Sequence, residues 1–416
     1  MKKLFVLFLI FLSLGAFSQD FLTKRGMKFE LSGFVRNDFI FDVRRNLGAC
    51  DDLFELYPLN PVLDHNGEDL NAVPSAKFLN TFSRLGGRFT GLELGKTKIS
   101  GYIEFDFTGS TMTPTLRLRH AYTQIEWPES KLLIGRTWHP MFIEKVYPAT
   151  LNENTGLPFQ VFNRSPQVRF TKTVTKNLDL ILAAVYQYDY SNTGAAGKTY
   201  QYQRDGIVPD LHAQLQFYNQ NWVIGGAIDF KSIRPQTQTT GTSGTYKATE
   251  RLNTFSALAY LKYSKDELII MAKSMYGQNV CEHLLPSGYF VTSVNTSTGA
   301  ETYTPMNHIY NWFNFTYGKA LKFGMYIGYL KNLGTSENPM NGSPFYGMTY
   351  GSEIDWVSKF SPQLIYYYKN FMLGIELSLT TVAYGTPDYT NKAKVVVNND
   401  DKVTNFRNMI SVAYNF

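Results

Sequence analysis

Two cysteines in 416 residues are too few for a disulfide-stapled scaffold, and no Cys-x-x-Cys pair is present to hold a structural zinc. HExxH and Gly-x-Ser-x-Gly are also absent. The six histidines, His65, His120, His139, His212, His283 and His308, stand apart from one another along the chain. Metallohydrolase and serine-nucleophile chemistry therefore have no motif to rest on, and no metal or other cofactor is expected. Basic residues never form a run longer than a pair, which leaves no arm for nucleic acid. Beyond residue 18 no stretch approaches the roughly 20 apolar residues that a membrane-crossing helix needs.

One apolar run does occur, at the amino end. Met1-Lys2-Lys3 is basic and Leu4 to Leu14 carries no charge, a signal-peptide core too short to span a bilayer. Ala16-Phe17-Ser18 offers the small residues that a signal peptidase reads, so the expected division is a signal peptide over 1–18, a short periplasmic tail over 19–26 and one domain over 27–416. Without Lys2 and Lys3 the formal charge falls from +6 to +4, too mild an excess to identify a partner. Cys50 and Cys281 fall in expected loops. An exported compartment would permit a bond between them, but their separation in sequence leaves pairing open.

Aromatic residues are plentiful, 15% of the chain, yet mean hydropathy is only -0.22. Alternation reconciles the two, because oily and wet residues taking turns cancel in any average. Phe29, Leu31, Gly33 and Val35 alternate with Glu30, Ser32, Arg36 and Asp38, Ile99 to Phe107 with Lys98 to Asp106, and Leu211 to Phe217 with Asp210 to Gln216. Each such segment reads as a strand with one oily and one wet face. Tight turns near Gly95, Pro128, Lys176, Asn219, Lys265, Gly318 and Lys369 take turns with longer loops at 44–80, 109–114, 139–165, 191–206, 234–251, 279–308, 334–352 and 386–400. Seven turns and eight loops join sixteen strands. Short turns on one side and long loops on the other characterise an antiparallel transmembrane β-barrel, and an even strand number puts both termini at the turn side, expected to be periplasmic. The last strand ends in Tyr414-Asn415-Phe416 and should close on Phe29–Val43.

Two segments break the pattern. In Leu116 to Trp127 the apolar set begins on Leu116, Leu118 and Tyr122 and changes parity to Ile125 and Trp127, which predicts a bulge or a face covered by another subunit. Ala257 to Tyr263 is apolar on both faces, as a wall against a neighbouring barrel would be.

Arginines supply the functional signal. Arg36, Arg84, Arg88, Arg117, Arg119, Arg136 and Arg169 fall on expected lumen faces, since each would cost about 2 to 4 kcal/mol facing lipid at mid-depth. In a narrow pore guanidinium groups attract carboxylates and phosphates without losing charge. The competing reading is structural, with the same arginines neutralised by Glu30, Asp38, Glu104 and Asp106. The third loop, 139–165, holds Pro140, Pro148 and Pro158 with Phe142, Tyr147, Phe159 and Phe162. So many apolar groups suggest that it folds into the lumen, bringing Arg164 to the constriction, rather than lying across the mouth. Asp51-Asp52 and Asn399-Asp400-Asp401 read as solvated loop charge.

Ser83-Arg84-Leu85-Gly86, Tyr102 to Phe107, Leu116 to Tyr122, Leu133 to Trp138, Arg164 to Arg169, Val208 to Leu211, Ser361 to Leu364, Gly374 to Glu376 and Ala383 to Gly385 together resemble the DcaP-like porins. The resemblance implies a homotrimer of sixteen-stranded barrels with an inward third loop and a basic constriction favouring small anionic solutes such as dicarboxylates. It carries Arg84, Arg117, Arg119, Arg136 and Arg169 over as pore residues. Residues 19–26 are too short for the helical coiled coil that some members place before the barrel. The expectation is thus an outer-membrane porin, not an enzyme, embedded in lipid and lipopolysaccharide and passing small anionic solutes past Arg36, Arg84, Arg88, Glu104, Asp106, Arg117, Arg119, Arg136, Arg164 and Arg169. The alternatives are a plugged barrel acting in surface binding or adhesion and, last, an outer-membrane enzyme.

Overall fold

The computed structural model describes residues 26–50, 52–110, 113–397 and 402–416. The expected signal peptide, residues 19–25 of the tail, Asp51 and the Asn399-Asp400-Asp401 cluster lie outside the described residues. Sixteen antiparallel strands close into a barrel. They are β1 (Lys28–Asp42), β2 (Arg84–Leu94), β3 (Thr97–Asp106), β4 (Arg117–Trp127), β5 (Ser130–Trp138), β6 (Arg164–Thr175), β7 (Leu178–Val185) and β8 (Asp210–Tyr218). The second half continues with β9 (Trp222–Ile233), β10 (Leu252–Lys265), β11 (Leu268–Gln278), β12 (Glu301–Gly318), β13 (Leu321–Thr335), β14 (Ile354–Tyr368), β15 (Phe371–Tyr384) and β16 (Lys402–Asn415). Tight turns follow every even strand up to β14, at the positions expected, and eight longer loops follow the odd ones. The last strand closes on the first with Phe34 opposite Asn415 and Asp42 opposite Arg407, and Gly33 and Phe416 exchange two backbone hydrogen bonds of 3.0 Å. The start of β1 and the carboxyl terminus lie at the turn end.

Alternation decides which way each side chain points. On β15, Phe371, Leu373, Ile375, Leu377 and Leu379 are exposed on the outer wall, while Met372, Glu376, Ser378 and Thr380 are buried inside. Such a wall meets lipid outside and a polar interior within. Trp127, Trp222, Tyr317, Tyr368, Phe371 and Tyr414 stand exposed near the turn end, where an aromatic girdle would sit at the membrane interface. Among the described residues no helix is long and apolar enough to cross a membrane.

Loops occupy much of the lumen. From the third loop Met141, Leu157, Phe159 and Phe162, and from the first Leu53, Phe54, Leu56 and Tyr57, form one apolar core with Tyr310, Trp312, Tyr326 and Leu330 of the far wall. Gly328 leaves the space for this, since a Cβ there would sit 2.3 Å from the Phe159 ring. The sequence predicts only a polar connection over the first loop. Instead its returning arm, Ser75–Leu79, extends the wall beside β1, and Glu55 anchors it from within.

Both irregular segments have local causes. A bulge on β4 sets Glu104 opposite His120 but Phe105 opposite Leu118, so Arg119 and His120 both face inward and both are buried. The change of parity is that extra residue; beyond it Tyr122 points into the lumen, not outward with Leu118. On β10 the two apolar faces differ in purpose. Phe255 and Leu261 face out, whereas Leu258 and Tyr260 face in and join the loop core. An apolar inner face is required there because the lumen beside it is filled with apolar side chains. The connection expected over 279–308 is also more ordered than a loop, because Gly288–Val294 pairs with an upward extension of β12.

Candidate functional site

Strands β2 to β6 carry the arginines on inward positions, and their order sets the geometry. Asp106 and Arg117 are register partners at the top of the β3–β4 pair. Arg117 donates to Asp106 through Nε (3.1 Å) and Nη2 (2.8 Å), and Arg119, displaced inward by the bulge, donates to both Glu104 (2.6 Å) and Asp106 (2.7 Å). Charge-assisted bonds of this length hold two otherwise costly buried carboxylates in the wall. Arg84 lies 3.6 Å from Glu104 and 3.8 Å from Glu153, with its guanidinium over the Phe34 and Phe82 rings.

Elsewhere the pairing partners come from loops. Arg36, 3% exposed, is enclosed beneath the third loop, bonded to Asp38 (2.8 Å), the Leu151 carbonyl (2.6 Å) and Ser411 (3.0 Å). Arg136 makes a two-pronged pair with Asp189 of the fourth loop at 2.7 and 2.6 Å. Arg169 donates to Glu144 of the third loop at 2.9 Å and to the Trp138 carbonyl. Arg164 is only 1% exposed; its guanidinium lies over Trp138 (4.3 Å) and Phe162 (4.8 Å), and Nη1 lacks a partner among the described residues. It does not line the cavity described next. Arg88 stands apart from the set. It lies over the Tyr102 ring at 4.9 Å, Glu30 is its register partner, and among the described residues no carboxylate lies within ion-pair distance of it.

A cavity of about 310 Å³ lies between this wall and the third loop. It is lined by Arg84, Arg88, Tyr102, Glu104, Arg119, His120 and Tyr122 on one side and by Phe142, Glu144, Tyr147 and Glu153 on the other. A second space of about 200 Å³ shares Tyr122, Thr137 and Glu144 with it and continues past Lys131, Lys145, Arg169 and Asp179. Together the two are lined by six basic side chains against four acidic ones. The arrangement can hold a small polar solute with an excess of positive charge near it. It offers no activated nucleophile.

Tethers keep the third loop in place. Lys273 donates to the Met141 carbonyl (2.5 Å) and Gln160 (2.8 Å), Tyr326 to the Gly156 carbonyl (2.8 Å), and Glu376 accepts the Leu151 and Asn152 amides at 2.8 and 3.2 Å. The first loop is held by Glu55, which accepts from Lys359 at 2.7 Å and Asn405 at 2.8 Å. Burial alone would raise the Glu55 carboxyl, but Lys359 and Arg407 hold it below its ordinary range. These acids and bases escaped the sequence reading. Arg407 was findable, because it shares inward parity with Asn405 and Ser411 on β16. So was the first loop, whose Leu53-Phe54 and Leu56-Tyr57 are as apolar as the aromatics of the third.

Folding also gathers histidines that are isolated in sequence. His139 and His283 have ring centroids 4.8 Å apart and His139 and His212 6.4 Å. His212 lies 3.3 Å from Asp229, and His283 contacts Asn163 at 3.1 Å. Burial pushes the His139 imidazole well below its ordinary range. It pushes His283 down to about 4, with the neighbouring Glu282 opposing. Cys50 and Cys281 are both free, Cys50 lying 3.5 Å from Arg117. Among the described residues no three His, Cys, Asp or Glu side chains converge as a metal site.

No family model matches the chain, and no curated protein does. Its fold is shared by solved outer-membrane barrels. The outer membrane channel DcaP of Acinetobacter baumannii superposes with a TM-score of 0.66 at 19% identity, covering 94% of this chain and 98% of that one. OmpF of Salmonella typhi, in complex with daunomycin, gives 0.56 at 11%, covering 94% and 99%. The in-vitro folded trimer form of OmpT, an outer membrane protein of Vibrio cholerae, gives 0.51 at 11%, covering 94% and 100%. The chain therefore shares the sixteen-stranded antiparallel barrel fold of the DcaP channel.

Proposed function

We propose that this protein is an outer-membrane porin that passes small hydrophilic solutes by diffusion, with preference for anions. The observation that carries the reading is the lumen cavity between the β2–β4 wall and the third loop, where Arg88 faces the space without a carboxylate partner among the described residues. Inside a water-poor constriction one uncompensated guanidinium outweighs several that are already paired, because each pair presents little net field to a solute. Arg84, Arg119 and Arg169 then add hydrogen-bond donors along the two cavities, while Arg36, Arg117, Glu104 and Asp106 hold the wall in shape. The outward apolar face and the aromatics near the turn end support residence in the outer membrane, against lipid and lipopolysaccharide, with a periplasmic turn end. Export by a signal peptide and assembly as a homotrimer belong to the same proposal; the trimer form of OmpT supports the latter by analogy of fold.

The reversal potential of the purified protein in a planar bilayer under a potassium chloride gradient tests this. Anion preference is expected, and cation preference would refute it. A second reading, a plugged barrel acting through its surface loops, is favoured by the apolar core that the first and third loops build across the lumen. Stepwise conductance would refute that alternative.

A further inference from the structure

The rings around the cavity form a pattern that charge selection does not require. Trp138 and Phe142 stack with centroids 3.9 Å apart and planes 4° from parallel, and Phe142 and Tyr147 continue the stack at 5.3 Å and 30°. Phe142 is buried between its neighbours, whereas Tyr147 is 43% exposed and ends the stair. All three line the same cavity as Arg84, Arg88 and Arg119. A loop that needed only apolar filler would be served by Leu or Val. A stair of aligned faces beside guanidinium groups instead matches a solute with a flat π-face and a carboxylate. The volume of about 310 Å³ is near the lower end of known small-molecule sites, about 300 to 1,000 Å³, and suits a single substituted ring.

We infer that the constriction is a specificity site for ring-bearing carboxylates, in which the solute ring extends the Trp138–Phe142–Tyr147 stack while its carboxylate is held by the arginine wall at Arg88. The inference rests on the porin reading and adds to it a discrimination among anions of equal charge. An aliphatic acid would meet the same guanidinium but gain nothing from the faces. One added offset stack corresponds to roughly 2- to 10-fold in affinity.

Phenylacetate, cyclohexylacetate and hexanoate separate the contributions, because all three carry one carboxylate and only the first has a π-face. In a planar bilayer phenylacetate is expected to block the current at roughly 2- to 10-fold lower concentration than the other two. Tyr147→Phe should keep that ratio, and Tyr147→Leu, which retains bulk without a π-face, should bring it towards one. Titrating the detergent-purified barrel with the same acids, followed by tryptophan fluorescence, reads the same ratio without requiring conduction. Equal affinity for the three acids in the wild type would overturn the inference, as would a ratio unchanged in Tyr147→Leu. Failure of the porin reading would appear separately, as absent conductance or cation preference in potassium chloride alone.

Discussion

Arg407 and Asp42 face each other across the seam where β16 closes on β1, and the guanidinium donates two hydrogen bonds of 2.8 Å to the carboxylate. The same guanidinium holds the Leu53 carbonyl at 2.9 Å and the Asp52 carbonyl at 3.0 Å. One side chain thus joins barrel closure to the inward first loop. Arg407→Met leaves Asp42 buried and unpaired, and is expected to destabilise the barrel by about 3 to 5 kcal/mol. The double variant Arg407→Met with Asp42→Leu should recover part of that loss, which thermal unfolding followed by gel mobility in detergent can read. A single variant as stable as the wild type would mean that the seam does not depend on this pair.

Reversing charge at two arginines should have different consequences. Arg88→Glu removes no ion pair, so the barrel should fold normally and its chloride-to-potassium permeability ratio should fall by roughly 2-fold or more. Arg119→Glu places a third carboxylate against Glu104 and Asp106 and should instead reduce the yield of folded barrel. Bilayer reversal potentials and folded yield together decide; a well-folded Arg119→Glu protein with altered selectivity would contradict this division.

Glu376 is the acceptor for two third-loop amides. Glu376→Ala strands the Asn152 amide, at about 1 to 3 kcal/mol for a buried unsatisfied group, while the Leu151 amide keeps Gln363 as an acceptor at 2.5 Å, and should loosen the loop root. Noisier current and faster proteolysis within residues 139–163 are the expected readouts, with Glu376→Gln closer to the wild type because it keeps an acceptor.

Acid should loosen the same loop. His283 in the folded protein takes a proton only near pH 4, against about 6.5 when unfolded. The unfolded or released form binds more protons between these values, so stability present above about 6.5 is lost as pH falls towards 4. Because His283 accepts the Phe162 amide through its carbonyl and contacts Asn163, the effect should centre on the third-loop exit. Lowering the pH across this window should raise proteolytic sensitivity there, and His283→Gln should flatten the profile. An unchanged window in that variant would assign the titration elsewhere, His139 being the nearest candidate.

The sixteen strands were legible because a barrel wall has one lipid face and one interior face, and that difference is written at every second residue. Turn positions were legible for a related reason, since hairpin ends interrupt the alternation. Inward placement of the third loop was readable from its aromatics. The first loop carries the same signal in Leu53-Phe54-Glu55-Leu56-Tyr57 but was masked by the polar residues around it. Which arginines remain unpaired was not legible. Asp189, Glu144 and Glu153 neutralise Arg136, Arg169 and part of Arg84 from loops far away in sequence, and alternation says nothing about where a loop returns. The three imidazoles that meet at His139 were hidden in the same way.

By itself, then, the sequence determined the wall: strand number, the direction of the side chains wherever alternation is unbroken and the seam between Phe416 and Gly33 follow from local period and turn chemistry. Only the tertiary structure decided the interior. The bulge that turns both Arg119 and His120 inward, the loop carboxylates that neutralise Arg136 and Arg169 but do not reach Arg88, and the stacked rings beside it are set by packing between distant segments. Local periodicity carries no information about that packing, because contact energies inside the lumen depend on which loop fills it.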